Sequence, residues 1–123
     1  MKFTLDSTAS THVIRAYAPG RINVNDRLLN RSFVISSATL IEDWSPQRAA
    51  DISLETLEVA LALEPEILVV GTGAQLHFLD ARLSAEIQGR GIGLEVLDTA
   101  AACRTYNVLI SENRKVAAAL LMI

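Results

Sequence analysis

Four consecutive apolar residues, Ile67-Leu68-Val69-Val70, run directly into Gly71-Thr72-Gly73. A strand with one wet face alternates apolar and polar side chains. An unbroken Ile/Leu/Val run instead predicts a strand buried on both faces, as in a parallel sheet covered by helices. Val116–Met122, apolar at nearly every position, predicts a second interior strand.

The segments between and before these runs carry helix signals. Ser53 is suited to cap a helix with Leu54, Leu57 and Leu61 on one face, Glu55 and Glu58 near its positive end, and Pro65 beyond it. Asp80 is placed to cap a second helix, with Leu83 and Ile87 four residues apart and Gly89 as its stop. Leu94, Val96 and Leu97 predict a strand. Asp98 then caps a third helix running to about Ser111, with Ala101, Thr105, Val108 and Leu109 expected to face inward. Strand, helix, strand, helix, strand is the order of βαβ crossovers.

The first half has a different rhythm. Phe3 and Leu5, then Ile14, Ala16 and Ala18, then Ile22 and Val24 follow a two-residue period interrupted by Pro19-Gly20 and Asn25-Asp26. Phe33–Ile35 and Leu40-Ile41 are further strand candidates before Trp44. The expected fold is α/β, a mixed sheet with flanking helices to which early antiparallel hairpins are added, in a single domain over 1–123. Half of the residues are hydrophobic and 20% charged, which supplies apolar surface for such a core without metal or disulfide.

Composition narrows the function. A net charge of −3 leaves no broad electropositive surface and argues against nucleic-acid binding. The single cysteine, Cys103, rules out an intramolecular disulfide or multi-cysteine metal site and suits a reducing compartment. The N-terminus lacks a signal-peptide pattern, and Val116–Ile123 is too short to cross a bilayer. A cytoplasmic protein without membrane insertion is expected, or a mitochondrial one whose transit segment has been removed.

Candidate chemistry is sparse. Gly71, Thr72 and Gly73 after a buried strand would let backbone amides approach an anion, although the third glycine of a dinucleotide fingerprint and the Gly-Lys-Ser/Thr of a P-loop are missing. Gly91 and Gly93 offer a second concavity, expected near the same sheet edge, with Arg104 as a charge partner. A purely structural turn is the competing reading at both places. Cys103 with His77 as base and Asn107 as orienter would make a nucleophile, yet a mid-helix cysteine packing as a small hydrophobe fits better. His12 and Asp43 belong to no cluster, so no metal, no cofactor and no catalytic set is expected. Arg104, Tyr106 and Asn107, the polar part of the third helix, are candidate contacts for a protein partner.

The residues Ile67–Gly73, then Gly91–Thr99, Ala101–Leu109, Arg114 and Val116–Leu120 together resemble a family of small uncharacterised domains. That family includes a mitochondrial respiratory complex I (NADH dehydrogenase) assembly factor and an adipogenesis-associated domain-containing protein. Ile22-Asn23-Val24 and the run to Trp44 resemble its N-terminal part. The resemblance implies a three-layer fold around a mixed sheet. It also implies a role beside complex I subunits or assembly factors, in the mitochondrial matrix for a processed eukaryotic chain. It supplies no catalytic residues.

Overall fold

In a computed structural model of the chain, which describes residues 11–123, the two apolar runs lie side by side. Strand β6 (Ile67–Gly71) pairs in parallel with β8 (Val116–Leu120), Val69 opposite Ala118. On its other side β6 pairs in parallel with β7 (Gly93–Leu97), Val70 opposite Val96. Beyond β8 come β4 (Phe33–Ser36), antiparallel to it, and the short β5 (Leu40–Ile41), completing a five-stranded mixed sheet of order β5-β4-β8-β6-β7.

Side-chain parity sorts the core into two layers. Leu68 and Val70 of β6, Ala117 and Ala119 of β8 and Val34 of β4 face helices α1 (Leu54–Leu61) and α2 (Ala81–Gly89), meeting Leu57, Ala60, Leu83 and Ile87. Val69, Ala118, Phe33 and Ile35 face the opposite way, against Ala102, Cys103 and Tyr106 of helix α3 (Thr99–Ser111). Three consecutive alanines at the centre of the sheet, all fully buried, keep its surface low on both sides and leave room for Tyr106 and Phe33.

The early strands do not all join this sheet. β1 (Ile14–Ala18), β2 (Arg21–Val24) and β3 (Arg27–Leu29) form a separate antiparallel sheet. Their apolar row, Ile14, Ile22, Val24 and Leu29, enters the α3 layer, while Ala16 and Leu28 lie exposed. One dry face and one wet face let a sheet lie over the core instead of extending it. β3 was not expected, since three residues are too few to display a period. The expected alternation at Phe3 and Leu5 falls outside the described residues.

The helix caps follow the sequence signals. Ser53 accepts from the Thr56 amide, Asp80 from Arg82 and Asp98 from Ala101. Gly89 does not stop α2 as expected, because it is the last helical residue; the left-handed position is Gly91, at φ +82°.

Candidate functional site

The chain leaves β6 at the carboxyl end of the parallel strands, where open α/β sheets place their ligands. Gly71 is required there by space: a Cβ would lie 2.8 Å from Leu120 Cδ2 and 2.9 Å from Thr99 Oγ1. That closeness lets the Thr99 hydroxyl donate to the Leu121 carbonyl at 2.8 Å and accept the Gly73 amide at 2.8 Å. Gly73 returns the contact, its carbonyl accepting the Thr99 amide at 2.9 Å. The Thr72 amide donates to the Leu97 carbonyl at 2.9 Å, and its hydroxyl accepts the His77 amide at 3.0 Å while lying 2.8 Å from the Gln75 carbonyl. The amides of Thr72 and Gly73, which an anion cradle would need, are therefore engaged in tying β6, β7, β8 and α3 together.

The second glycine pair is elsewhere. Gly93 pairs with Ile67 and Leu97 with Gly71, so Gly91 and Gly93 lie at the amino end of the parallel strands. At about 3.3 Å per residue, that is roughly 13 Å from Gly71. The expectation that both turns share one edge is corrected by the register, and the two-glycine cradle with Arg104 does not form.

On α3, Arg104 is exposed and its Nη1 donates to the Tyr17 hydroxyl at 2.7 Å. Tyr106 is not an exposed contact: its ring is fully buried, and its hydroxyl donates to the His12 carbonyl at 2.8 Å. Asn107 is half-buried and clasps β1, accepting the Ile14 amide at 3.0 Å and donating to the Ile14 carbonyl at 2.7 Å. The expected inward face is also rotated. Thr99, Ala102, Cys103 and Tyr106 are buried and Val108 is exposed, while Leu109 packs against the core as expected. Burial pushes the Cys103 thiol up to about 12, against the smaller lowering effect of the neighbouring Arg104 charge. Cys103 is enclosed in the core and His77 sits on an exposed loop, so no nucleophile-base pair forms.

What the carboxyl end does present was missed from sequence. Residues 72–80 form a loop whose outer part exposes Leu76 and, at 86% of its surface, Phe78. Beside it lies a cleft of about 430 Å³ lined by Gln47, Arg48, Thr72, Gly73, His77 and Met122. Gln47 and Met122 also line an adjoining recess of about 200 Å³ that reaches Arg31 and Trp44. Apolar residues without a period, Leu76, Phe78 and Leu79 between a strand end and the Asp80 cap, were the available signal. Among the described residues there is no cluster of three or more His, Cys, Asp or Glu able to hold a metal, and no helix long and apolar enough to cross a membrane.

The three-layer arrangement and this sequence match a known group. A family model described as a protein of unknown function (DUF498/DUF598) covers residues 14–121. The chain belongs to that family. Among DUF498/DUF598 relatives, NADH dehydrogenase [ubiquinone] 1 alpha subcomplex assembly factor 3 from Danio rerio is 39% identical over 118 residues, 94% of this chain and 67% of the relative. The protein of the same name from Xenopus tropicalis is 40% identical over 111 residues, 88% of this chain and 60% of the relative. This chain thus spans about two thirds of the length of these relatives. A crystal structure of a Bordetella parapertussis protein superposes with a TM-score of 0.87 at 36% identity, covering 93% of this chain and 98% of that one.

Proposed function

We propose that this chain is a non-enzymatic binding protein that takes part in assembling respiratory complex I, through contact with complex I subunits or other assembly factors. The observation that carries this reading is the 39% identity to assembly factor 3 of Danio rerio across 94% of the chain. Two features of the site are in keeping with it. The amides at Thr72 and Gly73 and the thiol of Cys103 serve the fold, whereas Leu76, Phe78 and Arg104 are turned to solvent, where a protein partner could reach them. Tyr106 and Asn107 hold the helix that carries Arg104 by fixing α3 to the segment around His12 and Ile14. The proposed location is the bacterial cytoplasm, or the mitochondrial matrix for a processed eukaryotic chain.

Affinity capture of the tagged chain from gently solubilised native membranes, followed by mass spectrometry, tests the proposal. Enrichment of complex I subunits or assembly factors over an untagged control is expected. Absence of any such enrichment, with the bait recovered intact, would sink it.

A further inference from the structure

The cleft beside the 72–80 loop has a chemistry of its own. The Thr72 hydroxyl serves the loop, but Arg48 is in no ion pair among the described residues, and neither its guanidinium nor the His77 ring has a hydrogen-bond partner there. Arg31, in the adjoining recess, lies 3.4 Å from Asp43 and is partly neutralised. Among the described residues Arg48 is the one permanently charged side chain lining this cleft, with the Gln47 amide and the His77 ring beside it, and the nearby Asp51 carboxylate accepts the Gln47 and Arg48 backbone amides at 3.4 and 3.2 Å, not the Arg48 guanidinium. Leu121 and Met122 provide apolar surface in the same cleft, and Leu76 and Phe78 carry the apolar character onto the loop.

A planar guanidinium facing solvent in a concave site favours a carboxylate, which it can engage with two parallel hydrogen bonds. Such a contact contributes to the orientation and selectivity of an acidic ligand more than to raw affinity. Exposed Leu76 and Phe78 flank His77, which lines the cleft, and extend the surface beyond what a small anion covers; aromatic residues and Arg are both characteristic anchors of protein interfaces.

We infer that this cleft is the docking site for an extended acidic segment of a partner protein, an Asp or Glu side chain meeting Arg48 while a neighbouring apolar side chain packs on Met122 and Phe78. The inference deepens the assembly proposal by assigning it a surface and a recognition chemistry, and it rests on that proposal for the existence of a partner.

A two-part experiment separates the two ideas. The first uses a fluorescent hexapeptide array in which Asp or Glu alternates with Leu, Ile or Phe, alongside a copy with every Asp and Glu changed to Asn and Gln. Binding by the full chain should favour the acidic set about ten-fold or more and fall on Arg48→Ala or Phe78→Ala by a similar factor, as for interface hot spots. It should also weaken as salt is raised from about 0.05 to 0.5 M. Arg114→Ala, beyond α3 near the start of β8, should change nothing. No preference for the acidic set, or a preference that survives Arg48→Ala, overturns the inference. So does equal, Arg48-dependent competition by acetate or inorganic phosphate at the peptide's concentration, which would mark a small-anion site. The second part repeats the affinity capture with Arg48→Ala and Phe78→Ala. Capture of complex I components that is lost in both variants supports the docking site. Capture that persists in both removes the docking site and leaves the assembly proposal standing.

Discussion

Thr99 shows how a single hydroxyl can decide the geometry of a strand end. It satisfies the Gly73 amide and the Leu121 carbonyl from a fully buried position, and Gly71 is glycine because any side chain would strike Thr99 and Leu120. Thr99→Val keeps the shape and removes both bonds, stranding two buried backbone groups at about 1–3 kcal/mol each. Thr99→Ser retains the hydroxyl and should lose only about 1 kcal/mol for the missing methyl. Urea unfolding of the three proteins checks this, and equal losses for Val and Ser would show that the hydroxyl is not the cause. The Gly-Thr-Gly motif was legible as a special turn. Its purpose was not, since the residue that explains it lies 26 positions later, in a helix whose register sequence alone placed wrongly.

Helix α3 is where local pattern and tertiary environment part company. Its start at Asp98 and its end at about Ser111 were legible, the start because capping is local chemistry. Its inward face was not, because two of the inward-turned groups are polar by composition and find partners only in the fold. Tyr106 buries its ring beneath the small sheet and reaches the His12 carbonyl, and Asn107 pairs with both backbone groups of Ile14 as a neighbouring strand would. A hydropathy period read without those acceptors assigns both residues to solvent. Asn107 is thus the clasp between α3 and the β1-β2-β3 sheet. Asn107→Ala should cost about 1–3 kcal/mol, the range for leaving a buried amide unpaired. The loss should be local: amide hydrogen exchange is expected to quicken in β1 and β2 before any change in β6 and β8. Uniform acceleration across both sheets would contradict that division.

At the scale of the whole molecule, the parallel βαβ crossovers were legible from apolar runs alternating with helix signals, and they contained a consequence the glycine expectation ignored. In a parallel βαβ unit, residues that follow one strand and residues that precede the next emerge at opposite ends of the sheet. Gly71–Gly73 run from the end of β6 and Gly91–Gly93 lead into the start of β7, so topology alone separates them, and the cleft at the carboxyl end is built from Gln47, Arg48 and the 72–80 loop. The same layering makes stability depend on alkaline pH. Cys103 and Tyr106 share the core layer between the main sheet and its neighbours. Burial raises the Cys103 thiol from 9.0 to about 12 and drives the Tyr106 phenol upward as well. Both groups stay protonated in the folded chain at pH values where the unfolded chain has begun to lose those protons. The unfolded state then binds fewer protons, so unfolding free energy falls as pH rises. The contribution is intact below about pH 9 and erodes from there toward about pH 12. Guanidinium midpoints should therefore decline between about pH 9 and 11, and Cys103→Ala, though less stable at neutral pH by about 1 kcal/mol or more, should decline less steeply. Parallel slopes for the two proteins would mean that the thiol does not titrate with unfolding, and the enclosed core layer would have to be more open to water than its geometry implies.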